Sequence, residues 1–216
     1  MLNRFPWPAA ALLAILALPL AQAAPAPAGD GMQRLESFLE QVHSMRADFR
    51  QEVRDGEGQL VEQAGGRVLL ARPGRFRWDY ERPHERVVMA DGERLWLYEA
   101  DLDQVTIRTL GDAMGETPAA LLTGDRSVLE RFEPVDSWKS GRLAWVRLRP
   151  RAADADFAAV AVAFAGEQPA ELVLDDRLGQ QTHLIFSEVR LNVPVGVDSF
   201  RFVVPEGADV IEESDL

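Results

Sequence analysis

"GRVLLARPGRFRWDY", residues 66 to 80, decides the fold. Side chains of a β-strand alternate between faces, so Phe76, Trp78 and Tyr80 share one face while Arg75, Arg77, Asp79 and Glu81 share the other. The preceding run reads the same way, with Val68 and Leu70 on one parity and Arg67, Leu69 and Ala71 on the other. Between the two strands "RPGR" offers Pro73 and Gly74 for the central positions of a type II turn, where a fixed negative φ is followed by a positive one. The stretch therefore predicts a β-hairpin with an apolar inner face and a charged outer face, Arg75 and Arg77 pairing with nearby acids. Arg72 breaks the pattern. It shares the parity of Val68 and Leu70, so its guanidinium faces inward at the strand's end. There it must reach backbone carbonyls or a carboxylate, or extend to water as a rim arginine.

Working outward, the hairpin belongs to a longer meander. Asp55 to Gly58 and Asp91-Gly92 supply further turns, and strands are expected again at 142–150, 157–165, 170–175, 181–191 and 200–204. Ser140-Gly141, "GEQP" and "DDRLG" turn them. In "RLWLY" either Leu95 and Leu97 or Trp96 and Tyr98 face inward, and periodicity alone does not choose. Ahead of the meander, with Asp30 as N-cap, Met32, Leu35, Phe38, Leu39, Val42 and Met45 follow helical spacing and predict an amphipathic helix over 30–45. The meander is broken at "GDAMGETPAALLTG", residues 111 to 124, where Thr117 caps and Pro118 opens a short helix between glycines. A second short helix is expected from Asp125 to Phe132.

The first 23 residues differ in kind. Arg4 precedes the apolar run Ala9 to Ala21, and Ala21-Gln22-Ala23 is a small-x-small cleavage site, so residues 1–23 read as a cleaved secretory signal. The run is short of the ~20 residues a bilayer requires, and Pro19 interrupts it. Residues 24–29, "APAPAG", form a flexible spacer, and 30–216 one domain. The 216-residue chain carries a net charge of −12, and loss of Arg4 with the signal makes it −13. Such an acidic surface disfavours nucleic acid and anionic membrane surfaces. The chain has no cysteine, which excludes disulfides, thiolate chemistry and an acylated N-terminal cysteine. A soluble periplasmic protein without stable membrane insertion is the expectation.

Chemistry-bearing motifs are sparse. His43, His84 and His183 have no metal-site spacing, and no nucleophile elbow, phosphate loop or dinucleotide fingerprint occurs. Asp101/Asp103 and Asp175/Asp176 fall in turns, where solvated acids are the rule. No catalytic residue, metal ligand or cofactor is assigned.

Taken in order, "RPGRFRWDYERP", "DGERLWLYEADLDQVTI", "TPAALLTGD", "LGQQTHLIFSEVRLN" and "FRFVVPEGADVI" resemble the LolA-type periplasmic carriers of outer-membrane lipoproteins. The resemblance covers essentially all of the chain after the spacer. It implies a mainly β (α+β) fold: an incomplete antiparallel β-barrel, a curved half-barrel sheet, whose apolar cavity is covered by a lid of the N-terminal helix and two short helices. It implies a monomeric chaperone, not an enzyme. Such a protein accepts acylated lipoproteins from an inner-membrane lipoprotein-releasing ABC transporter and passes them to an outer-membrane receptor lipoprotein. Arg72 matches the arginine that latches the empty lid onto backbone carbonyls, here around Leu121, Leu122 and Thr123. Leu39, Phe76, Trp78, Leu121 and Leu122 are the matching candidates for acyl-chain contact. Ala119 and Ala120 stand where bulkier apolar residues can occur in relatives. The alternative is a periplasmic carrier of the same fold for a different lipid or amphiphile.

Overall fold

The computed structural model describes residues 29–110, 118–124, 126–153 and 155–213. The signal and most of the spacer lie outside these, as do Thr117 and Asp125. Twelve strands form one continuous sheet: β1 (Ser44–Arg54), β2 (Leu60–Ala71), β3 (Arg75–Arg82), β4 (Arg86–Asp91), β5 (Arg94–Glu99), β6 (Gln104–Thr109), β7 (Phe132–Ser140), β8 (Leu143–Pro150), β9 (Phe157–Ala165), β10 (Gln168–Asp176), β11 (Gln181–Leu191) and β12 (Asp209–Glu212). Their order is β12-β6-β5-β4-β3-β2-β1-β11-β10-β9-β8-β7, so the two halves of the chain join through β1 and β11, and the sheet does not close. Its strong twist curls it around a core on the concave side.

The strands of the opening hairpin pair as their pattern demands, but the turn departs from the expected type II form: Ala71 pairs with Arg75, so three residues, Arg72 to Gly74, make the loop. Val68 lies opposite Trp78 and Leu70 opposite Phe76, and all four are nearly inaccessible. Gly74 closes the turn at φ 64°, a conformation that costs glycine little. Across the sheet the same face carries Met45, Phe49, Leu172, Val162, Val146 and Leu184, which complete one apolar cluster. On the outer face Arg77 pairs with Asp79 at 2.9 Å and Arg67 with Glu81 at 2.8 Å. Arg75 departs from the expectation: its guanidinium stands over the Phe200 ring at 5.5 Å, because the C-terminal segment returns across this face.

That return resolves "RLWLY". Leu95 faces the concave core, whereas Trp96 and Tyr98 face outward and pack on Phe202, with centroids 5.5 and 6.1 Å away. Met89, Val105 and Phe200 are buried on this side too. The sheet is thus apolar on both faces near β4–β6. Residues 200–204 do not form the expected strand. A 3-10 turn at Val197–Phe200 is followed by irregular chain that lays its aromatic rings down, and only then does β12 pair, parallel, with β6. The expected all-antiparallel meander is corrected at this one ladder.

The N-terminal helix α1 runs Asp30–Gln41. Gly29, not Asp30, is the N-cap; the Asp30 carboxylate instead meets Lys139 at 2.5 Å, and that hydrogen bond and positive charge hold its carboxyl below the usual range. The helix also stops short of 45. Val42 is extended, and Met45 lies in β1 opposite Leu70, its apolar spacing serving the sheet core. A strand missing from the sequence reading, β7, forms the far edge.

α1 lies close on β8. A Cβ built on Gly31 falls 2.1 Å from the Trp145 carbonyl oxygen, a contact with backbone that side-chain adjustment cannot relieve. Gly31→Ala therefore must lift the helix; the expected cost is about 1–3 kcal/mol, read as a lower urea midpoint with a full β signal by circular dichroism.

Candidate functional site

The concave apolar face is roofed by three helical pieces: α1, α2 (Pro118–Thr123) and a 3-10 turn at Arg126–Arg131. From the roof descend Met32, Leu35, Phe38, Leu39, Leu121, Leu122 and Val128, each at most 8 % exposed. From the sheet rise Phe76 and Trp78. All five side chains singled out for acyl contact, Leu39, Phe76, Trp78, Leu121 and Leu122, meet in this single cluster. Aromatic edges set its floor: Phe49 is 4.8 Å from Trp78 and 5.0 Å from Tyr80, both edge-on, and Trp78 is 6.1 Å from Phe186. The Trp78 indole N–H is buried there without an acceptor.

Arg72 sits where the roof meets the sheet. Its Nε donates to the Gly124 carbonyl at 2.6 Å and its Nη2 to the Leu122 carbonyl at 2.7 Å, both on the end of α2. Its Nη1 donates to the Val42 carbonyl and, at 3.4 Å, to that of Phe38, at the end of α1. The guanidinium also lies over the Phe38 ring at 4.8 Å. One side chain of β2's end thus joins two separate roof segments. Strand parity pointed the side chain inward, and the match around Leu122 placed its acceptors on α2. The α1 acceptors were not foreseen, because carbonyls leave no mark in a sequence.

Strand β3 carries the same face to its other end, where the lining turns polar. Tyr80 donates to Gln51 Oε1 at 3.0 Å, and Arg86, its cross-strand partner, stacks over its ring at 4.2 Å. Burial pushes the Tyr80 hydroxyl pKa up. Sequence reasoning put Tyr80 on the inner face with Phe76 and Trp78 but gave it no role, and it passed over Arg86, which lies in no motif. At the opposite end of this hairpin the Asp91 carboxyl feels burial, which raises its pKa. Donors from Arg94, Glu93 and the Trp96 indole outweigh that and hold it low. Among the described residues no three His, Asp or Glu side chains converge as metal ligands.

An open sheet roofed by helices over an apolar concave face defines a carrier-type scaffold, built to enclose apolar matter. The profile of the family described as "Outer membrane lipoprotein carrier protein LolA" matches residues 40–203. An outer-membrane lipoprotein carrier protein of Methylobacillus flagellatus is 40% identical over 184 residues, 85% of this chain and 90% of its own. Its namesake in Chromohalobacter salexigens is 39% identical over 212 residues, 98% and 99% of the two chains. The chain belongs to the outer-membrane lipoprotein carrier family, a family of carriers and not of enzymes. A crystal structure of an uncharacterised conserved protein from Thermus thermophilus shares the fold, with a TM-score of 0.52 at 16% identity over 84% of this chain and 96% of that one.

Proposed function

We propose that this protein is a periplasmic lipoprotein carrier: it takes acylated lipoproteins released from the inner membrane by an ABC transporter, shields their acyl chains beneath the helical roof, and delivers them to an outer-membrane receptor. The roofed apolar interior is the observation that carries this reading, and membership of the carrier family supports it. The demand is physical. An acyl chain of about 15 methylenes, at about 0.8 kcal/mol each, costs roughly 12 kcal/mol to leave in water. The leader-like first 23 residues supply export, and the chain from residue 30 supplies the carrier.

A carrier must also let go. In our reading Arg72 closes the empty protein by tying α2 to the end of α1, and incoming chains displace the roof and break those bonds. The bonds re-form on release and offset part of the cost of losing the cargo. Leu39, Phe76, Trp78, Leu121 and Leu122 are the contacts the chains would replace.

The test is a release assay. Spheroplasts making acylated lipoproteins are incubated with the purified protein lacking residues 1–23; lipoproteins are expected in the soluble fraction, bound one to one. No release by folded protein, with the source's own transporter present, would overturn the lipoprotein reading and point to another amphiphile.

A further inference from the structure

At the end of β3 remote from Arg72 the concave face opens into a cavity of about 450 Å³ between the β3–β4 turn and the turn after β5. Its inner wall is Tyr80, already packed on the apolar cluster, and Arg86. Around it stand Glu62, Glu85, Glu99 and Asp101 against Arg82 and Arg86, so the cavity is acidic whatever the charge of His84, which contacts Asp101 at 2.6 Å.

Two donors on this face have no acceptor. Arg86 Nε is buried and unbonded, and so is Trp78 Nε1 on a side chain only 5 % exposed. In the β3–β4 ladder Trp78 pairs with Val88 and Tyr80 with Arg86, two residues further on along the same face. Buried donors are seldom left without partners, and the orphan Nε of Arg86, which lines the cavity, marks where an acceptor oxygen is missing; Trp78 lies deeper, among the aromatic rings of the apolar cluster. The acidic ring selects among acceptors: it repels a phosphate and tolerates an uncharged carbonyl. Length agrees, since an eight-residue strand spans about 25 Å, more than the roughly 15 Å of one bilayer leaflet.

We propose that this cavity seats the uncharged, carbonyl-rich head of the acylated cargo. Arg86 donates to its ester or amide oxygens, and the acid ring turns away anionic phospholipid heads. The inference rests on the carrier reading and adds to it a basis for choosing lipoprotein over the far more abundant membrane lipid.

Binding is measured by displacement of an uncharged apolar dye from the purified protein, using a synthetic diacylglyceryl-cysteinyl peptide and, separately, phosphatidylglycerol with chains of equal length. The wild type is expected to prefer the peptide at least tenfold. Arg86→Met is expected to weaken peptide binding about tenfold, with dye binding and circular dichroism unchanged. Replacing two of the four acids, Glu62→Gln with Glu99→Gln, is expected to narrow the preference over phosphatidylglycerol at least fivefold. Peptide uptake by the wild type with all these variants matching it would sink the head-group site alone. A wild type that takes up neither lipid would remove the carrier reading as well.

Discussion

Arg72→Leu is expected to hold its cargo at least tenfold longer than the wild type when an acceptor is supplied. In the closed protein Arg72 donates to carbonyls of Phe38, Val42, Leu122 and Gly124, and leucine gives them nothing. A hydrogen bond from a charged donor is worth about 1.5–3 kcal/mol where water is excluded, and a carbonyl buried without a partner is costly in its own right. Losing even one such bond from the empty, closed state removes about 1.4 kcal/mol of the drive to unload, which is a factor of ten. Loading has no such dependence and should survive. The measurement is the rate at which acylated lipoprotein leaves each protein for acceptor membranes carrying the receptor. Equal rates for leucine and arginine would show that the closure contributes nothing to release.

Phe164→Ala should have the largest effect on stability, about 3–5 kcal/mol, with a fall in melting temperature of roughly 10 °C. Phe164 lies in β9, is fully buried, and meets the Phe38 ring of α1 at 5.9 Å, so it supports sheet and roof together. Urea unfolding compares the variant with the wild type. A loss below about 1 kcal/mol would mean that the interior beneath α1 is loosely filled and that Phe164 borders empty space instead of packed core.

The central hairpin was legible because one of its faces is charged and the other is not: Phe76 and Trp78 alternate with Arg75 and Arg77, and burial follows that alternation. The same rule failed at "RLWLY", where both faces are covered, the outer one by Phe202. Alternation reports which residues avoid water, and says nothing where both sides do. β7 was missed for the opposite reason. "FEPVDSWKS" is an edge strand exposed along most of its length, so no apolar parity marks it. β12 depends on a chain return from Phe200 that no local pattern encodes. At the site, the inward direction of Arg72 followed from parity with Val68 and Leu70. Its α1 acceptors did not, nor did the orphan donors of Trp78 and Arg86, because a missing partner is visible only when every neighbour is in place.

An unclosed sheet has two rims, and a rim of free peptide groups is a template on which identical chains stack into fibres. Here each rim is blunted differently. β7 carries Pro134, which breaks the register against β8 before Asp136, and it presents Glu133, Asp136 and Lys139 to solvent. β12 is four residues long, with Asp209 and Glu212 at its ends. Such interruptions let the sheet stay open, as admitting a bulky guest requires, without becoming a growth face for copies of itself.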